Sequence, residues 1–235
     1  SFFGSQPMVE KLGNQGFERL ELSMSMTGPK YMQKLEERIL ELTNQGIEYF
    51  KFDVINSIET GGSCTWDDGM VGYYFAYLAN KTNGQFTSVD TNPDIESKIY
   101  TAYKNIDPTL KINHITDDSL NLLKNPPYIP NLVHLDSWDV WLPNPLPSAL
   151  HGWREFEAIE GIMPVGSIIV IDDNWYGGEK IPWYVNYTDG RQTEEIIDIK
   201  YPLGKGAHVY QWALSGDKNW KILDAGYKLI IQKQW

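Results

Sequence analysis

One cysteine, Cys64, stands in a chain of 235 residues, so no disulfide can close within it. A lone thiol fits a reducing, cytoplasmic setting better than secretion. No apolar run reaches the roughly 18 to 20 residues that a membrane helix needs. The opening stretch "SFFGSQPMVEKLG" lacks the basic-then-apolar order of a secretory leader, so neither leader nor anchor is expected. Basic residues are also few. Twenty Lys and Arg against 31 Asp and Glu leave a net charge of −11. Nucleic acids and anionic lipids are held by basic faces or stripes, and none is legible here, so a small molecule is the expected partner. Two phosphate-binding signatures are missing as well. There is no G-x-x-x-x-G-K-[ST] and no G-x-G-x-x-G opening a helix, which disfavours a nucleoside triphosphate or a nicotinamide dinucleotide.

What is present is a repeating pattern. Short apolar runs alternate with helical periods at intervals of about 30 residues, the mark of βαβ units and a parallel sheet. The runs are "VINSIETGGS", "QFTSVDTNPD", "KINHITDD", "NLVHLDSWDVW" and "GSIIVIDDNWYGG". Between them, "DDGMVGYYFAYLANKTNG", "PDIESKIYTAYKNI" and "SALHGWREFEAIEGI" carry helical spacing, with Pro93 suited to a first turn and Ser148 to a cap. The stretch "WYGGEKIPWYVNYTDGRQTEEIIDIKYPLG" shows no clear period and is expected to be mostly irregular. After it, "GKGAHVYQWALSG" reads as a helix, and "NWKILDAGYKLIIQKQW" as an antiparallel hairpin at the sheet edge. Near the start, "GPKYMQKLEERILELTNQG" reads as a further helix, so residues 1–48 are expected to form a helical extension or lid ahead of an α/β domain over 49–235. For residues 1–28 a helical lid, an arm on a second copy of the chain in a homo-oligomer, and a poorly ordered tail all stay open.

Five strand ends carry polar groups: Glu59, Asp90, Asp117 with Asp118, Asp136, and Asp172 to Asn174. One such acid is ordinarily a cap or a solvated turn. Five in succession converge on one rim, because an open parallel sheet binds ligands outside the carboxyl ends of its strands. Gly61 and Gly62 allow a tight turn and close approach to a ligand. About 30 residues on, Asp90 stands at a strand tip where Thr91 or Asn92 can cap the next helix, so its carboxylate is spare for two vicinal ribose hydroxyls.

In this order and spacing, "SIETGGS", "GQFTSVDTNPD", "ITDDSLNLL", "NLVHLDSWDVW" and "GSIIVIDDNW" resemble the class I S-adenosylmethionine-dependent methyltransferases over roughly residues 50–235. The resemblance implies a Rossmann-like, mostly parallel seven-stranded sheet with an antiparallel last strand. It implies that Glu59, Gly61 and Ser63 form the turn under the methionine part of the cofactor and that Asp90 holds the ribose. Asp117, Asp118 and Ser119 would edge the adenine, with Trp138 stacked near it. "ETGGSCTWDDG" departs from the family's E-x-G-x-G-x-G, being longer and poorer in glycine.

Within that family "LDSW" and "IDDN" are similar to the magnesium-holding positions of the catechol and macrolide-sugar O-methyltransferases. This implies Asp136 with Asp173 and Asn174, or Asp136 with Asp172 and Asp173, as oxygen ligands of Mg²⁺. A cation so placed favours an ionised substrate hydroxyl, and in-line methyl transfer gains from holding that oxygen near the methyl group. Asp139 stands where the catechol enzymes have a lysine, and Trp138 where the macrolide-sugar enzymes have an acid. Asp139 and His151 are the candidate bases. His114, His134 and His208 read as packed, and Cys64 as a small filler. Trp141, Trp175, Tyr176, Trp183, Tyr184 and Tyr187 are expected to wall the acceptor pocket, with Lys180 and Arg191 serving any anionic group. The expected function is methyl transfer to an oxygen of a small molecule, with Mg²⁺ as a candidate cofactor. A metal-independent methyltransferase and a non-catalytic cofactor-binding relative are the rivals.

Overall fold

Short runs rich in β-branched residues, closed by polar turns, make the central sheet. The computed structural model describes residues 19–20, 23–24, 54–62, 71–186, 192–216 and 219–234. The first five sheet strands are β1 (Ser57–Thr60), β2 (Phe86–Asp90), β3 (Asn113–Thr116), β4 (Leu132–Leu135) and β5 (Ile168–Ile171). Then come β6 (Asn174–Trp175), β7 (Glu179–Asn186), β8 (Gln192–Ile199), β9 (Leu203–Gly204), β10 (Trp220–Ala225) and β11 (Leu229–Lys233). Helices α1 (Val71–Lys81), α2 (Asp94–Ile106), α3 (Ser119–Lys124) and α4 (Leu146–Ile159) connect the parallel strands, and α5 (Ala207–Leu214) precedes the last two.

The seven-stranded sheet runs β10-β11-β5-β4-β1-β2-β3. Strands β1 to β5 are parallel, and β11 lies antiparallel between β5 and β10. This is the Rossmann-like order expected, with helices on both faces. Alternate strand residues serve opposite faces. Val170 turns to the cluster built from Phe75, Ala76, Ala79, Ile95 and Tyr103 of α1 and α2. Ile169 and Ile171 turn to the cluster of Leu122, Leu123, Phe156, Ile159 and Val209 from α3, α4 and α5. Gly72, Phe75, Ala76 and Ala79 of α1 are buried at helical spacing, which puts one stripe of that helix on the sheet.

Three local expectations change. The stretch expected to be irregular contains an antiparallel hairpin, β7 with β8. The side chains described in it are mostly exposed, so no apolar alternation marks it, and Pro182 sits where an edge strand tolerates a missing donor. Ser148 is not the cap of α4: the helix begins at Leu146 behind Pro145, and the Ser148 hydroxyl donates to the Pro145 carbonyl at 2.8 Å. Pro93 precedes α2 as its capping residue, and the Asn92 side chain accepts the Asp94 N–H at 3.0 Å. The helix expected over residues 28–46 lies outside the described residues. Of the first 48, only a short antiparallel pairing of Arg19–Leu20 with Ser23–Met24 is described.

Candidate active site

Strand order reverses between β1 and β4, since the chain builds outward to β3 and then returns to the other side of β1. Ligand crevices of open α/β sheets form at such a point. Here the backbone ladder runs one residue beyond the strands. Gly61 N–H reaches the Val89 carbonyl at 3.0 Å, Asp136 N–H the Thr60 carbonyl at 3.2 Å, and Asp172 N–H the Leu135 carbonyl at 3.1 Å. The acids at the tips are therefore fixed by strand pairing rather than carried on loose loops.

Gly61 adopts φ +71°, and a Cβ there would lie 2.5 Å from the Asp136 carbonyl oxygen and 2.8 Å from the Ser137 nitrogen. Only glycine lets β1 turn this close to β4. Just before it, Glu59 is buried, and its Oε1 lies 3.6 Å from His134 Nδ1. Asp90 is half-buried at the tip of β2. Its Oδ1 accepts the Asn92 N–H at 2.7 Å, and Oδ2 has no hydrogen-bond partner among the described residues. Asp90 is thus spare in one oxygen rather than two. Ser63 lies outside the described residues.

The β3–α3 corner is self-satisfied. Asp118 caps α3, accepting the Leu120 N–H at 2.8 Å. Asp117 accepts from the Asn121 side chain at 3.0 Å and the Asp118 N–H at 2.7 Å, which hold its carboxyl below the usual range. Ser119 faces inward, its hydroxyl 3.2 Å from His151 Nε2. The Trp138 ring lies on that imidazole, with centroids 5.2 Å apart, and Trp138 itself is 59% exposed at φ +68°. A bulky side chain in the left-handed region is held there against its own preference. Below this pair, the Ser137 hydroxyl donates to the buried Glu155 carboxylate at 2.6 Å, with His151 Nε2 at 3.6 Å from the same oxygen. The fold therefore brings Ser119, Trp138 and His151 together, whereas Asp139 is exposed on the loop from β4 to α4.

The acids of β4 and β5 meet cations that sequence reasoning missed. Lys205, 2% exposed, donates to the Asp136 carbonyl at 3.0 Å and to the Asp136 carboxylate at 2.5 Å, and forms an ion pair with the Asp173 carboxylate at 2.8 Å. Lys228 pairs with Asp172, and the Tyr227 hydroxyl donates to Asp173. His134 lies 3.6 Å from Asp172 on its Nε2 side, so it bridges Asp172 and Glu59. Burial pulls this imidazole down, but the two carboxylates outweigh it and push it up to about 9. Burial raises Asp136 to about 6 against the pull of His134 and Lys205. Asp172 is also buried, yet His134 and Lys228 hold its carboxyl low.

Asn174 has a different task. Its amide donates to the Ile171 and Asp172 carbonyls at 2.8 and 3.0 Å, and its oxygen accepts the Gly206 N–H at 2.6 Å. The carboxamide stitches the end of β5 to the start of α5. Ligand atoms of His134, Asp136 and Asp172 do lie within 4.8 Å of one another. The Asp136 and Asp173 carboxylates that a hard cation would need are however already held by the buried Lys205 ammonium. The residues at the strand ends do not fit a magnesium site. The one signal for the missing cation was the "GKG" of Gly204–Lys205–Gly206, a lysine between two glycines.

Of the expected pocket residues, Trp141 is 58% exposed on the β4–α4 loop. Trp175 pairs edge-on with Tyr227, at 5.8 Å between centroids, and Tyr176 packs on Tyr210 at 4.5 Å. Lys180 is exposed on β7. The side chains of Trp183 and Tyr184, and all of Tyr187 and Arg191, lie outside the described residues. No helix among the described residues is long and apolar enough to cross a membrane.

No family model and no curated protein matches this chain. Several solved structures are similar to it. A methyltransferase from Geobacter sulfurreducens shares 10% identity over 97% of this chain and 86% of its own, with a TM-score of 0.46. An rRNA methylase from Streptococcus thermophilus shares 11% over 77% and 88%, with a TM-score of 0.44. CalS10 with bound S-adenosylmethionine, an amino pentose methyltransferase from Micromonospora echinaspora, shares 8% over 84% and 91%, at 0.41. At TM-scores below 0.5, fold and chemistry rest on the strand order and side chains described above.

Proposed function

We propose that this chain binds S-adenosylmethionine at the reversal point of the sheet and transfers its methyl group to an oxygen of a small molecule. The observation that carries the reading is the pairing of two tips. Gly61 turns in a space that admits no Cβ, and beside it β2 ends in Asp90 with one carboxylate oxygen unclaimed among the described residues. The glycine lets β1 turn close against β4 at the reversal point, where such sheets form their ligand crevice, and the carboxylate oxygen of Asp90 suits a ribose diol. Ser119, Trp138 and His151 form the flanking wall, where an exposed indole offers a face to a purine.

Bound there, the cofactor would supply an activated methyl. An acceptor hydroxyl taking that methyl would gain a C–O bond as the sulfonium C–S bond broke, with S-adenosylhomocysteine leaving, and would have to lose its proton. Asp139, open to solvent on the β4–α4 loop, is the base we assign to that proton. The net charge of −11 and the absence of a basic stripe support a small acceptor over a nucleic acid.

Calorimetric titration with S-adenosylmethionine tests the reading on wild type and Asp90→Ala. Losing one charge-assisted hydrogen bond worth about 1.5–3 kcal/mol should weaken binding roughly 10- to 100-fold. Wild type that takes up no cofactor, or an Asp90→Ala variant that binds unchanged, would overturn it. Methyl transfer to a panel of phenols and sugars then separates oxygen acceptors from others.

A further inference from the structure

The ammonium of Lys205 makes two hydrogen bonds and a further ion pair, and all three contacts go to the tips of β4 and β5. Its backbone is held as tightly as its head. Added Cβ atoms at Gly204 and Gly206 would lie 2.0 Å from the Asp173 carbonyl oxygen and 2.7 Å from Asn174 Oδ1. One at Gly152 of α4 would lie 2.4 Å from the Lys205 carbonyl oxygen. Three glycines thus let β9, α4 and the end of β5 close around this one residue. The Lys205 N–H reaches the Asp173 carbonyl at 3.3 Å. A fully buried lysine is rare unless paired, and this one is paired on both sides by acids that are themselves only 24% and 22% exposed.

We propose that the Lys205 ammonium is a built-in cation. It fills the acid cluster that ends β4 and β5, so this chain takes no divalent metal there, and removing the ammonium opens a divalent-cation site. A hard cation needs the carboxylate oxygens of Asp136 and Asp173, the same oxygens that Lys205 already holds. The remaining acid, Asp172, is neutralised by Lys228 and His134. Displacing Lys205 would leave an ammonium buried without a partner, which strongly disfavours the exchange. Lys205 is a positioning residue in this scheme. Engaged by both acids, it holds the two strand tips in place and leaves the acceptor oxygen to other groups.

This inference deepens the methyltransferase reading by removing metal from it, and for its catalytic consequence it rests on that reading. Its test does not use turnover. Wild type and Lys205→Met, which keeps the aliphatic stem, are titrated with Mn²⁺, and free Mn²⁺ is followed by electron paramagnetic resonance. Wild type should show no saturable site at millimolar Mn²⁺. Lys205→Met should take up one equivalent, and adding Asp136→Asn should abolish that uptake. One equivalent bound by wild type and lost in Asp136→Asn would overturn the proposal, and so would a folded Lys205→Met that binds none. If Lys205→Met does not fold even with Mn²⁺ present, the wild-type titration decides alone. Failure to bind S-adenosylmethionine would sink the methyltransferase reading and leave these outcomes as they stand.

Discussion

Gly61→Ala, compared with Gly166→Ala, isolates the close approach of β1 to β4. Both glycines have positive φ, +71° and +86°, so alanine meets a similar backbone penalty at each, roughly 1–2 kcal/mol. Their surroundings differ. Around Gly166 nothing lies within 4 Å of an added Cβ, whereas at Gly61 it would meet the Asp136 carbonyl oxygen at 2.5 Å and carbon at 2.7 Å. These are backbone atoms held by the Thr60–Asp136 ladder, so they cannot swing aside as a side chain would. Forcing one methyl into such a contact costs about 1–3 kcal/mol beyond the dihedral penalty. Urea unfolding should therefore place Gly61→Ala roughly 1–3 kcal/mol below Gly166→Ala, or several degrees in Tm for a chain of this size. The shift should carry a functional mark too, because displacing Asp136 loosens its pair with Lys205. Equal destabilisation of the two variants would refute the reasoning, since it would mean the β1–β4 contact yields without cost.

Other outcomes follow from the charges and stitches of the same rim. His134 keeps its proton to about pH 9 in the fold, against about 6.5 in the unfolded chain, so the folded state holds the extra proton between those values. Its contribution is complete below about pH 6.5 and is lost as pH rises toward 9, a fall of roughly 3 kcal/mol. Urea midpoints at about pH 6 and about pH 9.5 would show it, and a wild-type midpoint that holds or rises contradicts the buried imidazolium. Asn174→Ala leaves the Ile171 and Asp172 carbonyls and the Gly206 N–H without their partner and should cost about 2–4 kcal/mol by the same assay. Trp138→Ala removes an exposed ring and should leave stability within about 0.5 kcal/mol. It should weaken S-adenosylmethionine binding roughly 2- to 10-fold by calorimetry.

Much of the architecture was legible because its cause is local. A β-branched run between turn residues can only be a strand, and helical spacing between such runs demands parallel crossovers. That placed Glu59, Asp90, Asp136 and Asp172 at strand ends, which is where they stand. The β7–β8 hairpin was not legible, since an exposed two-stranded ribbon has no buried face to impose alternation.

The chain by itself determined which carboxylates reach the rim, and tertiary structure alone decided what neutralises them. Lys205 is 69 residues from Asp136 along the chain, and Lys228 is 56 from Asp172. No periodicity links residues so far apart. The register does: β11 inserts antiparallel beside β5 with Leu229 opposite Ile171, so Lys228 and Tyr227 fall across from the acids that follow that strand. Lys205 arrives from another direction, on the turn into α5 that Asn174 ties down. A carboxylate at a strand tip reads the same in sequence whether it awaits a metal ion or an ammonium. Which of them it meets depends on what the fold delivers from elsewhere.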